Sequence, residues 1–505
     1  MGMFDLTMLD LSRLQFAFTA AFHMVFPAVT VGLSLFLVVV YGLYMRTDNP
    51  AYRSIYRFFR NLFAIGFGLG IVSGIMLTFQ FGLNWGPFAN ATGPIVGTLL
   101  ALEVVTAFFL EAAFLGIMIY GEGRFSRKIV MFATAMVALG AFLSTTWIMS
   151  SNSWMQTPAG FEMLNGQFVP VDWLAVIFNP AFPLRYVHMV VATILSSALL
   201  VTGVGAWYLI RGTHTEFARR TFSLGLGFLA IFAPLELYTG DALGQDVISQ
   251  YQPAKLAAME GNWDSSNTGW NLLVIPDRDA EENIVQFGVP FVGSLIVNHD
   301  FALSEPVGGM SEFSDNELPP ITWTFYGFRI MLASAGAIVV LAAISVVLRV
   351  RGQLYTARWF HWLSMFAIPA GVIGIVAGWI TSEVGRQPWV VYGELATSDT
   401  VSNLAPGSLI FSVALILGVY AALFGAYVYY LVRAMKAGPE DASNGDDEPD
   451  FDVDDTDDDG GGSDLEVPGE REEREYAGAG HGTGYGRHEA AGRAYFRLDA
   501  GRTVG

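Results

Sequence analysis

Cysteine is absent from the 505 residues, and Asp, Glu, Lys and Arg together make up only 14% of them. The first absence excludes disulfides, thiolate metal sites and iron–sulfur clusters, so any redox centre must use His, Met or carboxylate ligands. The second excludes an ordinary soluble enzyme, in which about 25% of residues are charged. Histidine is scarce as well, at seven residues. The opening stretch MGMFDLTMLD has no basic region before its first apolar run, so it is not expected to be a cleaved signal peptide. No His-Glu-x-x-His, EF-hand loop, P-loop or strand–GxGxxG–helix pattern occurs. GFGLG (66–70) reads instead as a small-residue face that packs helices closely.

What is present is apolar: 53% of residues are hydrophobic and 14% aromatic. That balance predicts an all-α polytopic membrane protein. Nine runs are long enough to cross a bilayer, which takes about 20 residues each. They lie near 14–44, 61–81, 95–120, 129–150, 186–210, 221–238, 330–348, 360–382 and 405–432. Basic residues fall in alternate connections (RTDNPAYRSIYRFFR, GRFSRK, RGTHTEFARR, RVRGQLYTAR, and RAMK after the last run). The positive-inside rule then puts the N-terminus outside and the C-terminus in the cytoplasm, as an odd number of spans also requires. The net charge of −19 sits mostly at one end. Residues 437–505 hold 20 acidic residues against 6 arginines, a balance of −14, which leaves −5 for residues 1–436. The segment NGDDEPDFDVDDTDDDGGGSD therefore reads as part of a disordered acidic tail, 437–505, after a membrane domain of 1–436. The longest connection, about 239–328, falls on the outer side and is long enough to be a lid or a small folded cap.

Ionisable groups at membrane depth cost roughly 3 kcal/mol each on insertion scales, so each is a functional candidate. Here they are His23, Glu103, Glu111, His188, Glu236 and Glu383, with Arg329 at a span boundary beside Met331. For each, the competing reading is a hydrogen-bonded residue at a helix contact, and a Met on an apolar face is usually core. Glu103 and Glu111 are eight residues apart, about 12 Å along a regular helix and about 80° in rotation. That spacing suits a proton relay at two depths, and equally a pair of neutral acids joining helices. His188 and Met331 open the fifth and seventh spans at one depth. Two such residues suit the axial positions of a low-spin haem, with Arg329 answering a propionate and His23 left for a second haem.

Six stretches carry a resemblance: LSRLQFAFTAAFHMVF, ALEVVTAFFLEAAFLG, WMQTPAGF, KLAAMEGNW, FYGFRIM and GWITSEVGRQPW. Together and in this order the chain resembles subunit I of cytochrome bd quinol oxidases, in the form with the shorter quinol loop, over nearly all of 1–435. The resemblance implies an electrogenic quinol:O2 oxidoreductase of the cell membrane that makes water without copper. It implies two haem b, one low-spin and one high-spin, and one haem d. His188 and Met331 match the low-spin axial pair, with Arg329 beside it. His23 and Glu383 match ligands in the high-spin pair, in an order the resemblance leaves open. Glu103 and Glu111 match carboxylates of the proton route and haem site, Lys255 and Glu260 the quinol-loop lysine and glutamate. Arg386 and Trp389 belong to the signature after Glu383, with Arg386 expected to meet a propionate rather than to pair with Glu383. The expected partners are a second membrane subunit, small single-span subunits, membrane quinol and O2, with no nucleic acid. Glu236 has no counterpart, and is either a packing acid or a proton-exit group near Asp241.

Three other readings stand beside this one: an all-haem-b oxidase of the same type, a quinone-linked cytochrome b that does not react with oxygen, and a secondary transporter. A transporter predicts inverted repeats and broken paired helices, and the sequence displays neither.

Overall fold

A computed structural model of the chain describes residues 7–265 and 268–439. Among them, nine helices are long and apolar enough to cross a membrane. They are α1 (Met8–Thr47), α2 (Pro50–Leu83), α3 (Gly86–Tyr120), α4 (Arg127–Gln156), α5 (Phe182–Arg211), α6 (Thr215–Tyr251), α7 (Ile321–Val350), α8 (Arg358–Val384) and α9 (Pro406–Ala437). The expected count is met. The acidic-tail expectation lies, from residue 440 onward, outside the described residues.

Several helices are not the plain rods that apolar periodicity implies. α1 bends between Met24 and Pro27, because Pro27 has no N–H for the His23 carbonyl, which accepts from Phe26 instead at 3.1 Å. α3 contains two π-turns, Gly93–Gly97 and Val104–Phe108. The connection expected at 239–328 is shorter at both ends: α6 continues through a third π-turn (Gly244–Ile248) to Tyr251, and α7 already begins at Ile321. Between them lie a short helix, Pro253–Glu260, and an antiparallel strand pair, Trp270–Asp277 with Glu282–Val289.

α5 forms the centre, and 83% of its most apolar window is buried. Its small residues admit neighbours at backbone distance; a Cβ on Gly32 of α1 would sit 2.4 Å from the Thr193 carbonyl oxygen. In lipid no hydrophobic drive separates helix from tail, so such close packing is what holds spans together. Large apolar side chains such as Phe79, Ile231 and Val350 point outward, as a lipid-facing surface requires.

The contacts sort the bundle into two ends. At one, Arg127 meets Asp48, Arg220 meets Tyr52, Arg349 meets Ser223 and Tyr208 meets the Met435 carbonyl. Arg53, Arg57 and Arg60 all converge there on Glu122. The opposite end joins Arg13 to Gln387, Asn84 to Gln15, and Tyr392 to the Met155 carbonyl. The alternation of basic loops along the chain becomes a segregation of arginine in space.

Candidate functional site

The end opposite the arginine-rich one holds a connected polar cluster. Lys255 lies on the short helix Pro253–Glu260, buried, with its stem against Gly385; a Cβ there would come within 3.0 Å of Lys255 Cγ. Its Nζ donates to Gln156 Oε1 at 2.8 Å, and Gln252 Nε2 donates to the same oxygen at 3.0 Å. Gln156 is the last residue of α4, and its Nε2 donates to Glu383 Oε1 at 3.1 Å. Asn152, one turn earlier, gives the same oxygen a bond of 3.1 Å and accepts one of 2.5 Å from Arg185 Nη2. Arg386 Nη2 donates to Glu383 Oε2 at 2.5 Å. One carboxylate is thus served by three basic side chains, directly or through an amide.

The Arg386–Glu383 pair corrects an expectation. The two residues are three apart across the last turn of α8 and its exit, which places their ends together. Yet Arg386 Nε and Nη1 stay buried without a partner, as does Arg329 Nη1. Arg329 shows the same division: its Nη2 donates to Glu260 Oε2 at 2.8 Å and its Nε to the Asn271 carbonyl at 2.6 Å. The guanidinium also lies over Phe325 and Trp270. Each arginine, expected to meet a propionate, is held by a carboxylate of this chain and keeps an unsatisfied donor for another anion.

Burial pushes the Lys255 ammonium well below its ordinary pKa of 10.5; Arg185 and Arg386 push the same way, and Glu383 opposes them. Between that lowered value and 10.5 the unfolded chain binds more protons than the folded one, so stability rises with pH across the window. Unfolding measured from neutral pH to about pH 10 is expected to show that rise, and Lys255→Met to flatten it. An identical slope in the variant would place the titration elsewhere.

Three of the four candidate iron ligands, His23, His188 and Met331, come singly, each against a glycine of a neighbouring helix, whereas Glu383 sits in the polar cluster. His23 Nδ1 lies 3.0 Å from Ser73 Oγ, and a Cβ on Gly74 would touch the His23 ring at 3.1 Å. A Cβ on Gly240 of α6 would be 3.2 Å from His188 Cε1, and one on Gly378 of α8 would be 2.8 Å from Met331 Sδ. Among the described residues no group of three His, Cys, Asp or Glu could hold a bare ion. Single ligands suit a metal whose macrocycle supplies the other donors, and buried arginine N–H groups without partners suit carboxylate substituents. The residues present fit haem.

Glu103 and Glu111 face the same neighbour. Ser144 Oγ of α4 donates to Glu103 Oε1 at 2.9 Å, and Glu111 packs on Gly140, where a Cβ would be 2.4 Å from its Cγ. The rotation of about 80° expected for a regular helix is corrected by the π-turn between them, whose extra residue takes back about 100°. Both carboxylates therefore lie along one line of α4, at positions 140 and 144.

The structure brings Lys255 and Glu383 into one network and Arg329 and Glu260 into another. It leaves His23, Glu103 and Glu111 outside both. Trp389 opens a strand pair, Trp389–Val391 with Leu395–Ala396, and its N–H donates to the Arg386 carbonyl at 3.1 Å. Sequence reasoning missed Gln156, Asn152 and Arg185, which join the pieces. The available signal was a run of polar residues closing an apolar span (SSNSWMQ) and an arginine three residues before His188. Beside Gln156, a cavity of about 120 Å³ is lined also by Thr157, Pro158, Pro180, Tyr251 and Tyr392.

Residues 11–439 match the family described as cytochrome bd terminal oxidase subunit I. Cytochrome bd-II ubiquinol oxidase subunit 1 of Escherichia coli (strain K12) is 31% identical over 85% of this chain and 97% of its own length. Cytochrome bd ubiquinol oxidase subunit 1 of Bacillus subtilis (strain 168) is 32% identical over 87% and 96%. The bd oxidase structure from Geobacillus thermodenitrificans superposes with a TM-score of 0.79 at 28% identity, covering 86% of this chain and 99% of that one.

Proposed function

This chain belongs to the cytochrome bd terminal oxidase subunit I family, and we propose that it oxidises quinol at the outer face and supplies protons from the cytoplasm for the reduction of O2 to water. It is a multi-pass integral protein of the cell membrane and an oxidoreductase subunit. The observation that carries the finer reading is the bonded path from Lys255 through Gln156 to Glu383. It ties the connection between α6 and α7, read as the quinol loop, to the signature stretch at the end of α8.

Bound haem, two of type b and one of type d, would supply one-electron transfer and an open iron position for dioxygen. His188 and Met331 would hold the low-spin group, and His23 and Glu383 would serve the high-spin pair. Arg329 and Arg386 would offer their spare N–H groups to propionates. Lys255, held toward neutrality by burial, accepts a proton from a quinol hydroxyl, while Glu260 is kept in place by Arg329. Glu103 and Glu111 hand protons along α4 from the arginine-rich end, which the positive-inside rule makes cytoplasmic. Release of quinol protons outside and uptake inside separates charge without a pump. The relatives' designation as subunit 1 supports a second subunit as partner, and small single-span subunits beside it rest on the resemblance alone.

The test is an optical spectrum, reduced minus oxidised and then with carbon monoxide, on wild type and Lys255→Met. A red chlorin band that responds to carbon monoxide supports haem d; b-type bands alone identify the all-haem-b form. Lys255→Met is expected to keep the haem spectrum and lose quinol kcat/KM on the order of 100-fold. Absence of haem from the purified complex would overturn the proposal, and unchanged quinol kinetics would remove Lys255 from it.

A further inference from the structure

Glu236 has no part in the function proposed above, yet it is buried at membrane depth, where an idle carboxylate is costly. It lies on α6 one turn before Gly240, and both face the His188 ring on α5. Glu236 Oε1 is 3.2 Å from His188 Nδ1. On the other side of that turn, the missing Cβ of Gly240 leaves room for the ring, which would otherwise be touched at 3.2 Å. The imidazole is thus bracketed by a carboxylate and a gap on one helix.

The ring is turned off the line a hydrogen bond to Oε1 needs, so His188 Nδ1 is buried without a partner, and the carboxylate's second oxygen, Oε2, is buried without one as well. Unsatisfied buried polar atoms are costly, and a small ring rotation would satisfy the nitrogen on Oε1. Asp241, the next carboxylate along α6, is occupied by His299 at 3.1 Å. Nδ1 is committed to Glu236 by position, and Nε2 is the nitrogen left for iron.

We propose that Glu236 accepts the Nδ1–H of His188 and so fixes the ring nitrogen and ring plane that His188 presents to a haem iron. This rests on His188 being the low-spin ligand. Glu236 acts as a positioning residue: metal-bound histidines usually donate their second N–H to such an acceptor, which makes the ligand more basic. A more basic imidazole favours ferric over ferrous iron, so losing the acceptor raises the midpoint potential.

The experiment is a redox titration of the low-spin α-band, with EPR of the ferric form, on the full complex carrying Glu236→Leu, Glu236→Gln or Gly240→Ala. Glu236→Leu is expected to favour ferrous haem about tenfold, a rise of about 59 mV for a one-electron couple. Glu236→Gln keeps an acceptor and is expected to stay near the wild-type midpoint. Gly240→Ala presses on the ring and is expected to move the low-spin EPR signal with Glu236 intact. Wild-type midpoints in Leu and Gln variants alike would overturn the proposal. Should Glu236→Leu fail to assemble, a Gln variant that also loses the low-spin signal would overturn it too, since the acceptor remains. A His188→Ala protein that keeps the low-spin spectrum would instead overturn the ligand assignment beneath it.

Discussion

Glu383→Gln is expected to destabilise the detergent-extracted protein by about 2–3 kcal/mol, below the full cost of removing one partner from a buried ion pair because the Glu383 side chain keeps 29% of its exposure. The glutamine keeps the size and most of the hydrogen bonding of the side chain, so the loss isolates the charge. In the wild type that charge answers Arg386 at 2.5 Å and, through Asn152 and Gln156, Arg185 and Lys255. Without it the Arg386 and Arg185 guanidinium groups, with Lys255 held toward neutrality beside them, share the site with no described carboxylate between them. Thermal unfolding of the two proteins reads the difference directly. Removing one cation as well, in Glu383→Gln/Arg386→Gln, is expected to recover part of the loss. A drop of less than about 1 kcal/mol in the single variant would mean that solvent screens the cluster as it does a surface pair.

His188→Ala abolishes the low-spin haem band and lowers quinol-driven oxygen consumption by more than about 100-fold, beyond the loss expected when only the partner of a metal ligand is removed. The fold should survive, because the ring makes no aligned hydrogen bond: Glu236 Oε1 lies 3.2 Å away off line, and Gly240 on the same helix faces the ring without a side chain. Met331→Leu is expected to act in parallel while preserving the apolar volume against Gly378. A full low-spin spectrum in either variant would move the low-spin site elsewhere in the bundle.

Much of the bundle was legible because each span writes itself as an uninterrupted apolar run, and the alternation of basic loops prefigured the arginine-rich end. What escaped was local geometry. The bend at Pro27 could be read from the residue, but not the handover of the His23 carbonyl to Phe26. The π-turn at Val104–Phe108 leaves no compositional mark, since VVTAF is equally apolar in an α-helix. At the site, side chains with unusual chemistry for a membrane stood out, and the resemblance supplied their roles. Gln156 did not stand out: it is uncharged, and its importance comes from reaching Lys255 and Glu383 at once. The propionate roles expected of Arg329 and Arg386 ignored the nearest carboxylates, Glu260 from the loop and Glu383 from the preceding helical turn.

The π-turn of α3 also has a genetic meaning. A π-turn amounts to one residue inserted into an α-helix. Deleting a single codon among those for Val104–Phe108 would leave the hydropathy of the span almost unchanged and every ionisable residue in place. It would turn the π-turn into plain α-helix with the two glutamates seven residues apart, about 700° or 20° short of two full turns, so the carboxylates would stay aligned. Substitutions that regularise the turn without shortening the chain would instead swing Glu103 by about 100° relative to Glu111 and give the two acids different neighbours. The extra residue and the π-turn are therefore tied: a lineage can lose both together and keep the acids on α4, whereas losing the turn alone parts them.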